Sequence, residues 1–262
     1  MPPADATTRS VFDLAAAEYD AARPSYPAAL YDAVEHQAGR LAGKVTLDWG
    51  AGTGIASRQL AERGARVISL DIGAQMLRMA KARRPQSACV LADGNRMPAR
   101  ASSADLVTFA QSWHWFDQRV AATEVARVLR PGGYWAAWWN RAKATGEPWF
   151  EEYEQLVLAS CPGYQWLHSG DDVLVPDWAD PAVAAVARME PAGTIVVPWT
   201  RQVSAADWVT DCRSKSFFID LEPAFRESVL HRIAAILAAH FTDGQLTVPY
   251  DTALVLARKA AS

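Results

Sequence analysis

Cysteine is scarce in this 262-residue chain, where Cys89, Cys161 and Cys212 are the whole complement. Their number is odd and no two form a C-x-x-C clip, which argues against a disulfide framework or a thiolate metal clip and for a reducing, cytoplasmic setting. Positive charge is not in excess either: 26 Lys and Arg face 29 Asp and Glu, with a formal net charge of -3 and a pI near 6.0. Without a broad basic field, nucleic acid is not the expected partner. No apolar run approaches the roughly 18 residues of a membrane-spanning helix. The opening MPPADATTRS has no apolar leader core, so neither membrane insertion nor secretion is expected. Internal repeats and low-complexity segments are absent as well.

What is present is a chain 50% hydrophobic and 21% charged, enough to bury a full core in a single domain over 1–262. PAALYDAVEHQAG reads as a helix opened by Pro27 and closed by Gly39, after an earlier one in VFDLAAAEYDAAR that Pro24 stops. The apolar run VTLDW then leads into glycines, and ASRQLAERGA has helical spacing with Gly64 as its cap. RVISLD, AQMLRMAKARR, ACVLAD, ADLVTFAQS, RVAATEVARVLRPGG and YWAAWWN continue the order, strands alternating with helices. Such alternation predicts an α/β fold, a Rossmann-like, seven-stranded, mostly parallel sheet with helices on both faces. The strand runs lack period-2 polarity, as expected of strands covered on both sides. Ligands of such sheets bind outside the carboxyl ends of the strands. Residues 141–191 break the pattern and read as an insertion or lid, with WFEEYEQLVLAS a helix. GTIVVPW and TALVLAR read as the last strands, separated by a helix at Ala206–Asp211 and an amphipathic one carrying Phe225, Val229, Ile233, Ile236, Leu237 and Phe241.

The segment LDWGAGTG places Asp48, Gly50, Gly52 and Gly54 where the first strand hands over to a helix. Glycines there let backbone approach a ligand, and the helix start offers free N–H groups. A dinucleotide fingerprint counted from Gly50 would need Gly or Ala where Ile55 stands, and counted from Gly52 it meets Ser57, so a nicotinamide-dependent oxidoreductase is disfavoured. Asp71 ends the second strand about 20 residues on, the place of a ribose-binding carboxylate in nucleotide-binding βαβ units. Its alternative is a helix N-cap, and that of Asp93 is a turn.

Asp48-x-Gly50-x-Gly52-x-Gly54, followed in order by Asp71, LADG with Asp93, and RVLRPGG, resembles the motif series of class I S-adenosylmethionine methyltransferases. The resemblance implies S-adenosyl-L-methionine as cofactor, with Gly50, Ala51 and Gly52 along its methionine part. It implies Asp71 on both ribose hydroxyls, and Asp93, Gly94 and Asn95 at the adenine edge. Ile72 and Met76 are candidates for the adenine face, with core packing as the alternative. EYDAARPSYP and AQSWHWFD are similar to a branch of small-molecule methyltransferases that includes the trans-aconitate enzymes. In that branch residues 1–42 would cover the cofactor, with Tyr19 and Arg23 near its carboxylate, which a guanidinium suits by bidentate bonding.

Gln111, Ser112 and His114 follow the fourth strand at the expected crevice, the first two as cofactor contacts. His114 is the candidate catalytic base, its alternative being a packing or hydrogen-bonding role. Methyl transfer demands little beyond alignment and exclusion of water, so no Ser/His/Asp triad is needed. His168 near Asp171 and Asp172 is read as fortuitous spacing and no metal is expected. Ten of the eleven tryptophans lie between Trp113 and Trp208. Of these, Trp115, Trp139, Trp149 and Trp166 are candidates for the wall of a pocket for a small-molecule acceptor, aromatic or carboxylate. Arg213 or Lys215 would supply the counter-charge for a carboxylate. A cofactor-binding protein without catalysis is the other reading, and the chain is expected to be a monomer or a homodimer.

Overall fold

In the computed structural model, residue 20 and residues 23–93, 96–162, 164, 181–186 and 188–261 are described. The apolar runs form β1 (Val45–Trp49), β2 (Arg66–Asp71), β3 (Ala88–Leu91), β4 (Ala104–Ala110), β5 (Leu129–Ala142), β6 (Met189–Ser204) and β7 (Gln245–Lys259). They make one seven-stranded sheet in the order β3-β2-β1-β4-β5-β7-β6, in which β7 runs antiparallel to both its neighbours. β1 to β5 pair in parallel, as the alternating pattern predicts.

Both faces are covered because successive strand residues are apolar and point to opposite sides. On one face Leu106, Ala136, Trp138 and Leu254 pack under α1 (Ala28–Ala38) and α2 (Ile55–Glu62), through Leu30, Tyr31, Val34, Ala56 and Leu60. On the other, Val107, Phe109, Trp135 and Val255 pack against Ala121, Ala122 and Val125 of α4 (Gln118–Val128). α3 (Ala74–Arg83) joins β2 to β3. Pro27 and Gly39 flank α1, and Gly64, at φ 86°, turns the chain after α2. These are the stops the sequence predicts. The RPGG expected to end a helix lies inside β5 instead, where the pairing jumps from Ala104↔Leu129 to Leu106↔Tyr134. The extra residues bulge opposite Asp105.

The last three strands are about twice the expected length. β4 ends at Ala110, opposite Trp138, yet β5 runs on through Trp139–Ala142 against β7, and β6 with β7 extends further as a ribbon. Pro191, beside a bulge, and Pro198 sit on the edge strand β6, and Pro249 of β7 lies just past the last residue paired with β5, the places a sheet tolerates proline. Proline in the sequence hides this length. On the overhanging ribbon sit α5 (Pro148–Ser160), α7 (Ala205–Arg213), α8 (Ser216–Ile219) and α9 (Pro223–His240), while the short α6 (Pro181–Ala184) packs near α4. A second core of Trp149, Phe150, Tyr153, Trp208, Phe218, Val229, Ile233 and Leu237 joins these helices to Val203, Leu246, Val248 and Tyr250 of the ribbon. The cap is therefore broader than the lid expected over 141–191, since α7 to α9 belong to it.

Candidate active site

At the exit of β1 the chain turns through Gly50, Gly52 and Gly54 at φ 72°, 56° and 80°. These values favour glycine. A Cβ on Gly50 would lie 2.6 Å from the Ser112 Cβ, whereas a Cβ on Gly52 would point into open space, with nothing but its chain neighbours within 4 Å. The loop is thus closed against the sheet on one side and open on the other. Gly50 and Ala51 N–H groups donate to the Leu70 carbonyl, and the Gly52 N–H donates to Asp71 Oδ2 at 2.8 Å. Asp71 Oδ1 accepts from the Gly73 N–H at 2.7 Å. Gly73 is the N-cap of α3, so Asp71 holds both the glycine loop and the turn that leads into that helix.

Beneath the loop, Asp48 is fully buried and accepts from Ser57 Oγ at 2.5 Å and Thr108 Oγ1 at 2.8 Å. Ser69 Oγ donates to Ser57 Oγ in turn, so the network ties β1, β2, β4 and α2 together. Burial pushes the Asp48 carboxyl up to about 6 although both hydroxyl bonds and the Ser57 backbone work the other way.

Beyond Asp71, Ile72 is 45% exposed and Leu91, the β3 partner of Asp71, is 61% exposed. Two large apolar side chains stand open beside the carboxylate, and Leu91 was not foreseen from sequence. Met76 is buried in the packing face of α3, which supports core over adenine contact. Asp93 is exposed and its carbonyl accepts from the Arg96 N–H; Gly94 and Asn95 lie outside the described residues.

At the exit of β4, Gln111 holds φ 55°, rare for a residue with a side chain, and its N–H donates to the Trp138 carbonyl. Ser112 is buried and donates from Oγ to the Trp49 carbonyl at 2.7 Å, closing the exit of β4 onto that of β1. A 3-10 turn, Trp113–Trp115, then presents His114, with the Trp115 ring 4.6 Å away. Trp139 Nε1 donates to His114 Nδ1 at 3.4 Å. Burial, aided by the nearby Arg23 charge, pushes the imidazole down to about 4. A neutral ring accepting at Nδ1 carries its proton on Nε2. His114 is then a hydrogen-bond donor at neutral pH and a poor base, which argues against the catalytic role expected of it.

The remaining candidates separate clearly. Arg23 donates from Nε to Ser214 Oγ and from NH2 to the Ser214 carbonyl, both at 3.1 Å, linking the segment before α1 to the α7–α8 junction of the cap. Lys215 lies in the same buried group. Arg213 does not, because its guanidinium forms a two-pronged pair with Glu227 on a half-exposed surface. Trp149, expected in a pocket wall, is 5% exposed and sits in the cap core. Tyr19, Trp166, His168, Asp171 and Asp172 lie outside the described residues.

A methyltransferase-domain family matches residues 47–137, from β1 into β5. Over 256 residues the chain is 33% identical to an uncharacterized methyltransferase of Mycobacterium tuberculosis (strain ATCC 25618 / H37Rv), covering 95% of this chain and 96% of that protein. The chain belongs to the class I S-adenosylmethionine-dependent methyltransferases. Demethylmenaquinone methyltransferase of Streptomyces griseus subsp. griseus is 32% identical over 162 residues, 58% of this chain and 69% of its own length. Among solved structures, a protein of Anaeromyxobacter dehalogenans provisionally named a type II methyltransferase shares the fold, with a TM-score of 0.62 at 23% identity over 91% of this chain and 98% of that one.

The residues present fit the methyltransferase cofactor on three observations. Gly52 leaves an open cradle that a side chain would fill. The Asp71 carboxylate is fixed at the end of β2 by the N–H groups of Gly52 and Gly73, the place of a ribose-binding carboxylate in a βαβ unit. Ile72, the next residue in the chain, leaves its apolar side chain exposed. No helix among the described residues is long and apolar enough to cross a membrane.

Proposed function

We propose that this methyltransferase transfers a methyl group to a small molecule held between the carboxyl edge of the sheet and the cap. When bound, S-adenosylmethionine supplies a methyl group already activated on a sulfonium sulfur. Gly50, Ala51 and Gly52 would hold its methionine part, Asp71 its ribose, and Ile72 with Leu91 its adenine. The protein's remaining task is to align the acceptor and exclude water.

The observation that carries the small-molecule reading is the roof. α5, α7, α8 and α9 pack on the ribbon that overhangs the carboxyl edge, and Arg23 bonds this cap to the segment entering α1. A roofed cleft suits a ligand that can be enclosed rather than a polymer. The net charge of -3 also disfavours a polyanion, and the demethylmenaquinone relative acts on a small molecule by its name. Trp115 and Trp139 flank His114 at the cleft, which favours an aromatic or carboxylate acceptor that the Nε2–H of His114 would meet.

Calorimetric titration with S-adenosylhomocysteine, with NADH as control, tests the donor site, and release of S-adenosylhomocysteine over a panel of quinols, phenols and carboxylates, with transfer RNA and a protein mixture alongside, tests the acceptor. Micromolar binding of S-adenosylhomocysteine alone and turnover on a small molecule are expected. Turnover confined to the RNA or the protein mixture would sink the small-molecule reading.

A further inference from the structure

On the cap side of His114, three basic side chains converge on one buried acid. Asp211, near the end of α7, is 2% exposed. Its Oδ2 accepts from Arg201 NH1 of β6 at 3.1 Å and lies 3.7 Å from Lys215 Nζ. Its Oδ1, 3.7 Å from Arg23 Nε, has no hydrogen bond among the described residues. Arg201 NH1 also donates to the Tyr250 hydroxyl at 3.3 Å.

Lys215 is the member whose position asks for a ligand. Its side chain is four-fifths buried, with 20% exposure, and its ammonium lies 5.4 Å from the Trp208 ring centroid. It makes no hydrogen bond among the described residues, the Asp211 oxygen at 3.7 Å being too far for one. Burial works to discharge Lys215, but its neighbours, the Asp211 carboxylate first among them, hold the ammonium above the usual lysine range. A four-fifths buried ammonium that spends no donor on a hydrogen bond favours a further anion beside it. Asp211 alone is also shared with Arg201 and Arg23. Arg23 joins the cluster at Asp211 and Ser214, and its charge is felt at the His114 imidazole.

Resting on the methyl-transfer reading above, we propose that the acceptor is an anion whose carboxylate docks on the Lys215 ammonium, within the Arg23–Arg201–Asp211 cluster, so that its nucleophilic end is presented toward His114. Asp211 is then a positioning residue that keeps three cations together. Arg23, at the seam between core and cap, lets the anion draw the two walls onto the cleft.

The test uses the full chain saturated with S-adenosylhomocysteine, titrated calorimetrically with benzoate, 4-hydroxybenzoate and succinate and with the corresponding amides. The acids are expected to bind in the millimolar range or tighter, and the amides about tenfold or more weakly, the weight of a charge-assisted bond. Lys215→Met, which keeps the aliphatic stem over Trp208, should lose that preference, and Lys215→Arg should keep it. Affinity for S-adenosylhomocysteine should stay within about twofold of wild type in both variants. Failure of every acid to bind, or a preference for acids that survives in Lys215→Met, overturns the proposal. A matching loss of S-adenosylhomocysteine affinity in Lys215→Met would assign the cluster to the carboxylate of the donor and also overturn it. If wild-type protein fails to bind S-adenosylhomocysteine at all, the methyl-transfer reading falls, and this proposal with it.

Discussion

The indole of Trp139 donates to Nδ1 of His114 across 3.4 Å, joining the overhang of β5 to the turn that follows β4. The bond selects the neutral Nε2–H tautomer, and the imidazole titrates near 4 instead of 6.5. A His whose folded value lies below its unfolded one stabilises the fold above about pH 6.5, and this contribution is lost as pH falls through the window down to about 4. The gap corresponds to at most about 3 kcal/mol. Long-range nitrogen NMR should show Nε2 protonated and Nδ1 bare from pH 8 down to 5. Trp139→Phe should move the titration upward, because the donor that favours the neutral form is gone. An imidazole that titrates near 6.5 in wild type would return His114 to the role of base.

Asp48 runs the other way. Its folded value of about 6 lies above the usual 3.8, so the protonated acid is the form the fold prefers. That preference is fully present below about pH 3.8, declines as pH rises through 6, and leaves the ionised carboxyl costing about 3 kcal/mol at neutral pH. Asp48→Asn keeps an acceptor for Thr108 or Ser57 and removes the charge. The melting temperature of wild type relative to Asp48→Asn should therefore rise steadily as pH is lowered from 7.5 to 4. A difference independent of pH would mean that Asp48 is not the group that titrates.

Asp71 holds the glycine loop through the Gly52 N–H while facing the cleft. Asp71→Ala should weaken S-adenosylhomocysteine binding by about 1.5 to 3 kcal/mol for each charge-assisted bond lost. Asp71→Asn should be milder, since its carbonyl oxygen still accepts. Unchanged affinity in Asp71→Ala, measured calorimetrically, would remove the residue from the site.

Arg213 shows where sequence reasoning stops. Arg213 and Lys215 are two residues apart near the end of α7, and sequence offers both as counter-charges. In the fold they point to different environments, Arg213 to Glu227 on α9 and Lys215 to Asp211. Breaking the exposed pair with Arg213→Ala should cost about 1 kcal/mol or less and leave S-adenosylhomocysteine affinity untouched. A large loss of either would place Arg213 in the machinery after all.

The boundaries of β1, β2 and α3 and the placing of Gly50, Gly52 and Asp71 were legible because each rests on a local rule: an apolar run, a glycine at positive φ, a carboxylate at a strand end. Arg201, Asp211 and Tyr250 were not, because they meet only through the pairing of β6 with β7 and the packing of α7 on that ribbon. Arg201 and Asp211 are ten residues apart but on a strand and a helix, and Tyr250 is 49 residues from Arg201, so no local pattern joins them. Leu91 was missed for a related reason, since its neighbour Asp71 is across the sheet and not along the chain.

Trp149 was read as a pocket wall from its aromatic character, although its spacing said otherwise. Trp149, Tyr153 and Leu156 recur at four and then three residues along α5, and all three are buried. That is the period of a helix face turned to a core. Its ring packs edge-on to Trp208 and Phe241, each 5.5 Å away, and so helps hold α5, α7 and α9 on the ribbon. Trp149→Ala should destabilise the protein by about 3 to 5 kcal/mol, the range for emptying a large aromatic from a core. Trp149→Phe should recover much of this. Because the cap is a separate core from the sheet, affinity for S-adenosylhomocysteine below the melting transition should stay near wild type. A pocket residue would give the reverse pattern, an unaltered melt with impaired turnover, and thermal melts of the two variants beside an activity assay distinguish the cases.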